Sequence, residues 1–135
     1  PKGVLYSHDN IFYLIESIIR GFKFSKKTKH LSLLPFGHTA SINYNIFPCL
    51  FTKSSVVIAE GFSDISNKFF KILSKENISY TQLVPTVVYM LLKINYKLDN
   101  MDFKNLIFIG CGSSFLPKDI QEKFQKKFGI RLANL

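Results

Sequence analysis

Residues 105–135 read "NLIFIGCGSSFLPKDIQEKFQKKFGIRLANL". The stretch "NLIFIG" (Asn105 to Gly110) is a continuous apolar run of strand length, and it ends in a turn of small residues from Gly110 to Ser114. Pro117 opens a helix that carries Ile120, Phe124 and Phe128 on one side, and Gly129 closes it. "IRLANL" then begins another strand. A strand, a helix and a second strand in so short a space make a unit whose strands run parallel and are buried on both faces.

The same alternation extends back through the chain. "LSLLP" (Leu31 to Pro35) is a short buried strand, "SVVIA" (Ser55 to Ala59) a β-branched one, and "ISYTQLVP" (Ile78 to Pro85) a third. Between them lie helical stripes. Ile42, Ile46, Cys49 and Leu50 form one, which Pro48 is expected to kink or end early. Ile65, Phe69, Ile72 and Leu73 form the next, with Asp64 as its expected cap. Pro85 starts a helix through Val88, Met90 and Leu92. At the front, Ile11, Leu14, Ile15, Ile18 and Phe22 recur at helical spacing, with Glu16 and Arg20 four apart on another face. Ser7, Asp9 or Asn10 caps that helix. The fold class is therefore α/β, a mostly parallel sheet with alternating strands and helices. No repeat or linker divides the chain.

The totals agree. The 135 residues are 47% hydrophobic with 14 Phe, enough for one core. The longest uncharged stretch, Leu31 to Thr52, contains Pro35, Gly37, His38, Asn43, Asn45 and Pro48, so no transmembrane segment is expected. Cys49 and Cys111 form no Cys-x-x-Cys motif and read as two reduced thiols of a cytoplasmic protein. The net charge of +9 is mostly lysine. The runs "KFSKKTK" and "KFQKKFG" lack the texture of an RNA-binding sheet, so no specific nucleic-acid partner is expected.

In parallel sheets ligands sit at the carboxyl ends of strands. The segments to inspect are "PFGHTAS" after Leu34, "EGFSD" after Ala59, "PTVV" after Val84 and "CGSSFL" after Gly110. His30 is read as a solvated residue of the basic loop. No Cys/His cluster, Gly-x-Ser-x-Gly elbow, full phosphate loop or dinucleotide glycine fingerprint is present.

Taken in order, "PKGV..SH.N" (Pro1 to Asn10), "LPFGH" (Leu34 to His38), "LVPT" (Leu83 to Thr86), "CGSSFL" (Cys111 to Leu116) and "KFGIRLANL" (Lys127 to Leu135) resemble one family. This is the large N-terminal domain of the adenylate-forming enzymes, which include acyl- and aryl-CoA synthetases, peptide-synthetase adenylation domains and luciferases. The resemblance implies that residues 1–135 are a partial AMP-binding domain, truncated at both ends, with the small C-terminal domain absent.

The resemblance also implies site residues. Lys2 and Gly3 match the end of the loop that binds the phosphates of ATP. His8 and Asn10 match a helix entry held by side-chain hydrogen bonds. Gly112, Ser113 and Ser114 fall where the backbone lines adenine, though Ser113 and Phe115 replace the family's glycine and proline. His38 and, more weakly, Thr86 fall near the acyl-substrate pocket. No catalytic set is complete, and the ligands of Mg2+ lie outside these residues. The implied parent is an ATP-dependent ligase that activates a small-molecule carboxylic acid as acyl-AMP. The acceptor is the thiol of CoA or of phosphopantetheine on a carrier protein. The segment near His38 lacks the Phe-Asp pair of amino-acid-activating domains, which favours an acyl or aryl acid. The alternatives are a non-catalytic module of the same fold and an amino-acid-activating domain.

Overall fold

The structure, a computed structural model, describes residues 3–135; Lys2 lies outside them. Its centre is a five-stranded, wholly parallel sheet of order β2-β1-β3-β4-β5. The strands are β1 (Lys29–Ser32), β2 (Ser55–Ile58), β3 (Tyr80–Leu83), β4 (Phe108–Cys111) and β5 (Leu132–Asn134). The helices are α1 (His8–Phe22), α2 (Thr39–Ser41), α3 (Phe47–Thr52), α4 (Phe62–Ile65), α5 (Phe69–Lys75), α6 (Pro85–Lys93) and α7 (Lys118–Phe128).

Side chains alternate across each strand, and the two faces have different partners. Leu31, Leu83, Ile109 and Cys111 join Phe69, Phe70, Val88, Leu91, Phe124 and Phe128 in the main core. Tyr80 and Phe108, on the other face, join Ile18 of α1 and Phe24 in a smaller aromatic cluster. Each fully buried ring such as Phe69 or Phe124 contributes about 1.5–3 kcal/mol of transfer free energy.

Local chemistry sets the helix ends. Ser7 caps α1: its hydroxyl accepts the Asn10 N–H at 3.1 Å, and the Asn10 side-chain oxygen accepts the Ser7 N–H at 3.1 Å. Asn10 thus holds the helix entry, while His8 is exposed. Arg20 and Glu16 pair at 2.7 Å. Pro85 starts α6, and Gly129 ends α7 at φ 66°.

Four expectations need correction. His30 is not a solvated loop residue: it is fully buried in β1. The strand starts at Lys29, earlier than the apolar run indicates, because the His30 ring packs edge-on against Phe24 at 4.7 Å between centroids. Pro48 does not end its helix. A π-helical stretch, Ile42–Ile46, precedes it, in which the Phe47 N–H reaches back five residues to the Ile42 carbonyl. The widened turn resets the register, so Pro48 falls in the first turn of α3, where no N–H is needed. Asp64 is not a cap: it lies inside α4, and a 3₁₀ turn, Ser66–Lys68, separates α4 from α5. Finally, β4 begins at Phe108 rather than Asn105.

Candidate functional site

The sheet order creates a crevice. The chain leaves β1 toward β2 on one side, and leaves β3 toward β4 on the other. Connections that diverge this way open a gap outside the carboxyl ends of β1 and β3, where open α/β sheets bind ligands. A cavity of about 270 Å³ lies there, lined by Thr39, Asn43, Tyr44, Gln82, Gly112 and Ser113, with Ala40 and Leu135 completing the wall. Two much roomier depressions lie elsewhere. One, of about 450 Å³, sits among Lys23, Lys27, Lys29 and Lys104. The other, of about 540 Å³, runs between α4 and α6. Position at the switch point, not volume, singles out the smallest of the three.

The turn after β4 is tied down on both sides. The Gly112 N–H donates to the Leu83 carbonyl at 3.2 Å, and the Leu135 N–H donates to the Cys111 carbonyl at 2.8 Å. The Asn134 amide reaches the Leu116 carbonyl at 3.4 Å. Ser113 takes φ 73°, a left-handed conformation that glycine adopts without strain and serine does not. Ser113 faces the cavity, whereas Ser114 and Phe115 point outward.

His38 is the N-cap of α2. Its Nδ1 accepts the Ala40 N–H at 3.1 Å, which leaves Nε2 to carry the ring N–H. The next residue, Thr39, is on the cavity wall. Ser41, buried in the same helix, donates to the Leu34 carbonyl at 2.6 Å and pairs with Ser32 at 3.0 Å, which fixes α2 to the end of β1. The structure thus brings the segment after His38 together with Gly112 and Ser113. Thr86 is not with them: it is exposed on the first turn of α6, in the groove beside Phe62 and Met90. Gly3 is exposed, with nothing within 4 Å of a Cβ built on it.

The residue that sequence reading passes over is Gln82. It is 2% exposed, on the same face of β3 as Tyr80, and reaches the cavity wall. The Tyr80 hydroxyl donates to its side-chain oxygen. Burial, with the nearby Tyr44 phenol adding to it, pushes the Tyr80 hydroxyl far above the ordinary range, so it stays a donor. The available signal is a carboxamide between Thr81 and Leu83 in a stretch read as a buried strand. Among the described residues, no group of three His, Cys, Asp or Glu side chains is arranged to hold a metal ion.

The pattern of the family described as AMP-binding enzymes matches residues 1–135. The chain belongs to that family. Relatives of this AMP-binding chain include the 2-hydroxy-7-methoxy-5-methyl-1-naphthoate–CoA ligase of Streptomyces carzinostaticus. The two are 26% identical over 133 residues, which covers 98% of this chain and 24% of that protein. 4-Coumarate–CoA ligase 3 of Oryza sativa subsp. japonica is 27% identical over 131 residues, covering 94% and 23%. The fold superposes on ATP-bound MatB from Rhodopseudomonas palustris with a TM-score of 0.86 at 21% identity, covering 98% of this chain and 25% of that one. It superposes on the fatty acyl-adenylate ligase from L. pneumophila with a TM-score of 0.85 at 20% identity, covering 96% and 24%. The chain therefore spans about a quarter of the length of the proteins it matches. No helix among the described residues is long and apolar enough to cross a membrane.

Proposed function

We propose that these residues form part of the ATP- and acid-binding domain of an ATP-dependent acid–thiol ligase. The reaction joins a carboxylate to ATP, giving acyl-AMP and pyrophosphate. A thiol, of CoA or of a carrier's phosphopantetheine, then attacks the acyl carbon and AMP leaves. The mixed anhydride makes the carboxyl carbon attackable, and positioning with charge neutralisation supplies most of the acceleration.

The observation that carries this reading is the cavity at the switch point, whose wall is the Gly112–Ser113 turn. A turn of small residues lets a flat purine lie against the main chain, and Ser113 already holds the left-handed backbone that such a turn uses. Gly112, Ser113 and Ser114 take the adenine, and the segment at His38 and Thr39 takes the reacting end of the acid. Thr86 would border an acyl chain only through the separate groove at α6. Lys2 and Gly3 take the phosphates, with Mg2+ held by residues beyond these 135. The two buried, unpaired thiols support a cytoplasmic setting.

The test is ATP–pyrophosphate exchange by the full-length protein against a panel of fatty, aryl and amino acids. Exchange that depends on an acyl or aryl acid supports the reading. Exchange with amino acids alone, or with none of the panel, overturns it. The 135 residues by themselves are expected to show no exchange.

A further inference from the structure

We propose that the lysine-walled depression at the amino ends of the strands is a binding site for a phosphate group, separate from the switch-point cavity. This site does not depend on the ligase reading.

The sheet sets its place. Lys29 and Ser55 are the first residues of β1 and β2, and Ser79 and Ile107 directly precede β3 and β4. The strands run parallel, so these residues share one edge of the sheet, and the switch-point cavity lies at the other. Strands of four residues hold the two apart by about 13 Å. The depression holds about 450 Å³, within the ~300–1,000 Å³ of small-ligand sites.

Its wall is polar and carries charge of one sign. Lys23, Lys27, Lys29 and Lys104 line it and, among the described residues, no Asp or Glu does. Two of the four are neutralised by carboxylates outside the wall: Lys29 pairs with Glu76 at 3.0 Å, and Lys104 with Asp102 at 2.8 Å. Lys23 and Lys27 have no carboxylate partner among the described residues. Their two charges match those of a phosphate monoester, about −1.5 to −2 near pH 7. The Ser25 hydroxyl oxygen accepts the Lys27 N–H at 3.3 Å, which leaves its own O–H to donate to a ligand. No aromatic ring lines the depression among the described residues, so a nucleic-acid base has no platform to stack on.

The loop that carries the two free lysines is built before a ligand arrives. Lys23 ends α1 in the left-handed conformation, its N–H donating to the Arg20 and Ile19 carbonyls. Phe24, next to it, is buried in the aromatic cluster. The buried Thr28 closes the turn: its N–H donates to the Ser25 carbonyl at 2.9 Å, and its hydroxyl accepts the Ser25 N–H at 2.8 Å. The Ser79 hydroxyl accepts the Lys29 N–H at 3.1 Å, which ties the loop to the start of β3. A fixed loop avoids part of the ordering cost of binding. Lysine then holds phosphate as a point charge.

The test is amine labelling of the full-length protein with an N-hydroxysuccinimide ester, read at each lysine by mass spectrometry. Reading named lysines separates this site from the phosphate subsite of ATP. The probe is inorganic phosphate, with sodium chloride at equal ionic strength as the control. Phosphate at twice its dissociation constant should slow labelling of Lys23 and Lys27 about threefold, and leave Lys71 on α5 unchanged. Lys27→Glu puts a carboxylate in the depression and should abolish the protection of Lys23. Ser55→Asp, on a different strand, should do the same and serves if the first variant fails to fold. No protection, equal protection by chloride, or protection that survives both substitutions overturns the site. A Lys23 that is unreactive without phosphate also overturns it, as does protection by single-stranded DNA with none by phosphate. Vesicles separate the two sources of the group. Cosedimentation with phosphatidylcholine vesicles that contain phosphatidic acid, lost in Lys27→Glu, assigns the phosphate to a lipid headgroup. Protection by inorganic phosphate without cosedimentation assigns it to a dissolved compound.

Discussion

His30 gives the fold a calculable dependence on pH. The ring is fully buried, packed against Phe24 and Tyr80, and neither ring nitrogen has a hydrogen-bond partner among the described residues. Burial without an acceptor disfavours the charged imidazolium and lowers the pKa from 6.5 to about 4. In the unfolded chain the ring titrates near its ordinary value. Above pH 6.5 the ring is neutral in both states, and stability is full. Between 6.5 and about 4 only the unfolded chain takes up the proton, so stability falls as pH falls. Below about 4 both states are protonated and the loss levels off. At about 1.4 kcal/mol per pH unit, the span amounts to about 3 kcal/mol. Carboxylates also titrate in the lower half of this window, so the assay compares the wild type with His30→Leu. Urea unfolding of both, from pH 7.5 to 3.5, should show a gap that widens by about 3 kcal/mol as pH drops from 6.5 to 4. Leu should be tolerated at neutral pH, because it removes two buried polar atoms that have no partner. A gap that stays constant across the window would refute the argument from burial.

Three other perturbations follow from local geometry. Gly110→Ala drives a methyl into Tyr80 and Gln82, and urea unfolding should show a loss of about 1–3 kcal/mol; Gly112→Ala, whose nearest contact is at 3.3 Å, should cost less. Ser113→Gly relieves the left-handed backbone at φ 73° and should stabilise the chain by up to about 1 kcal/mol in the same assay. Cys49 and Cys111 are both buried, and burial pushes the Cys111 thiol up to about 11. Neither should react with an aromatic disulfide reagent at pH 8 until urea is added.

The sheet was legible because each parallel strand, closed in by helices, needs a run of apolar residues, and those runs are in the sequence. Pro85, Gly129 and the Ser7–Asn10 box were legible because their effects are local to one turn. The failures share a cause: each depends on a neighbour distant in sequence or on a register shift. His30 follows three lysines and a threonine, and only the aromatic cluster of Phe24 and Tyr80 makes its burial favourable. Pro48 reads as a stop unless the π-helical turn ahead of it is known. No rule of spacing announces that turn.

The glycines of the candidate site show how far a motif can carry a residue assignment. Small residues at Gly110 to Ser114 read as room for a purine against the backbone. In the fold, part of that room belongs to the protein itself. Gly110 and Gly112 sit against the oxygen and the nitrogen of the same amide, that of Gln82, which comes from a different strand. A side chain at Gly110 would displace Gln82 and Tyr80 before it met any ligand. The backbone of the turn lines the cavity at Gly112 and Ser113, but its chemistry there is that of a carboxamide donor beside a bare main chain. The same small residues are thus, in this chain, the condition for seating the Gln82 amide against the turn. That coupling links three positions on two adjacent strands, Tyr80, Gln82 and Gly110. A change at any one of them should be read as a change in the other two.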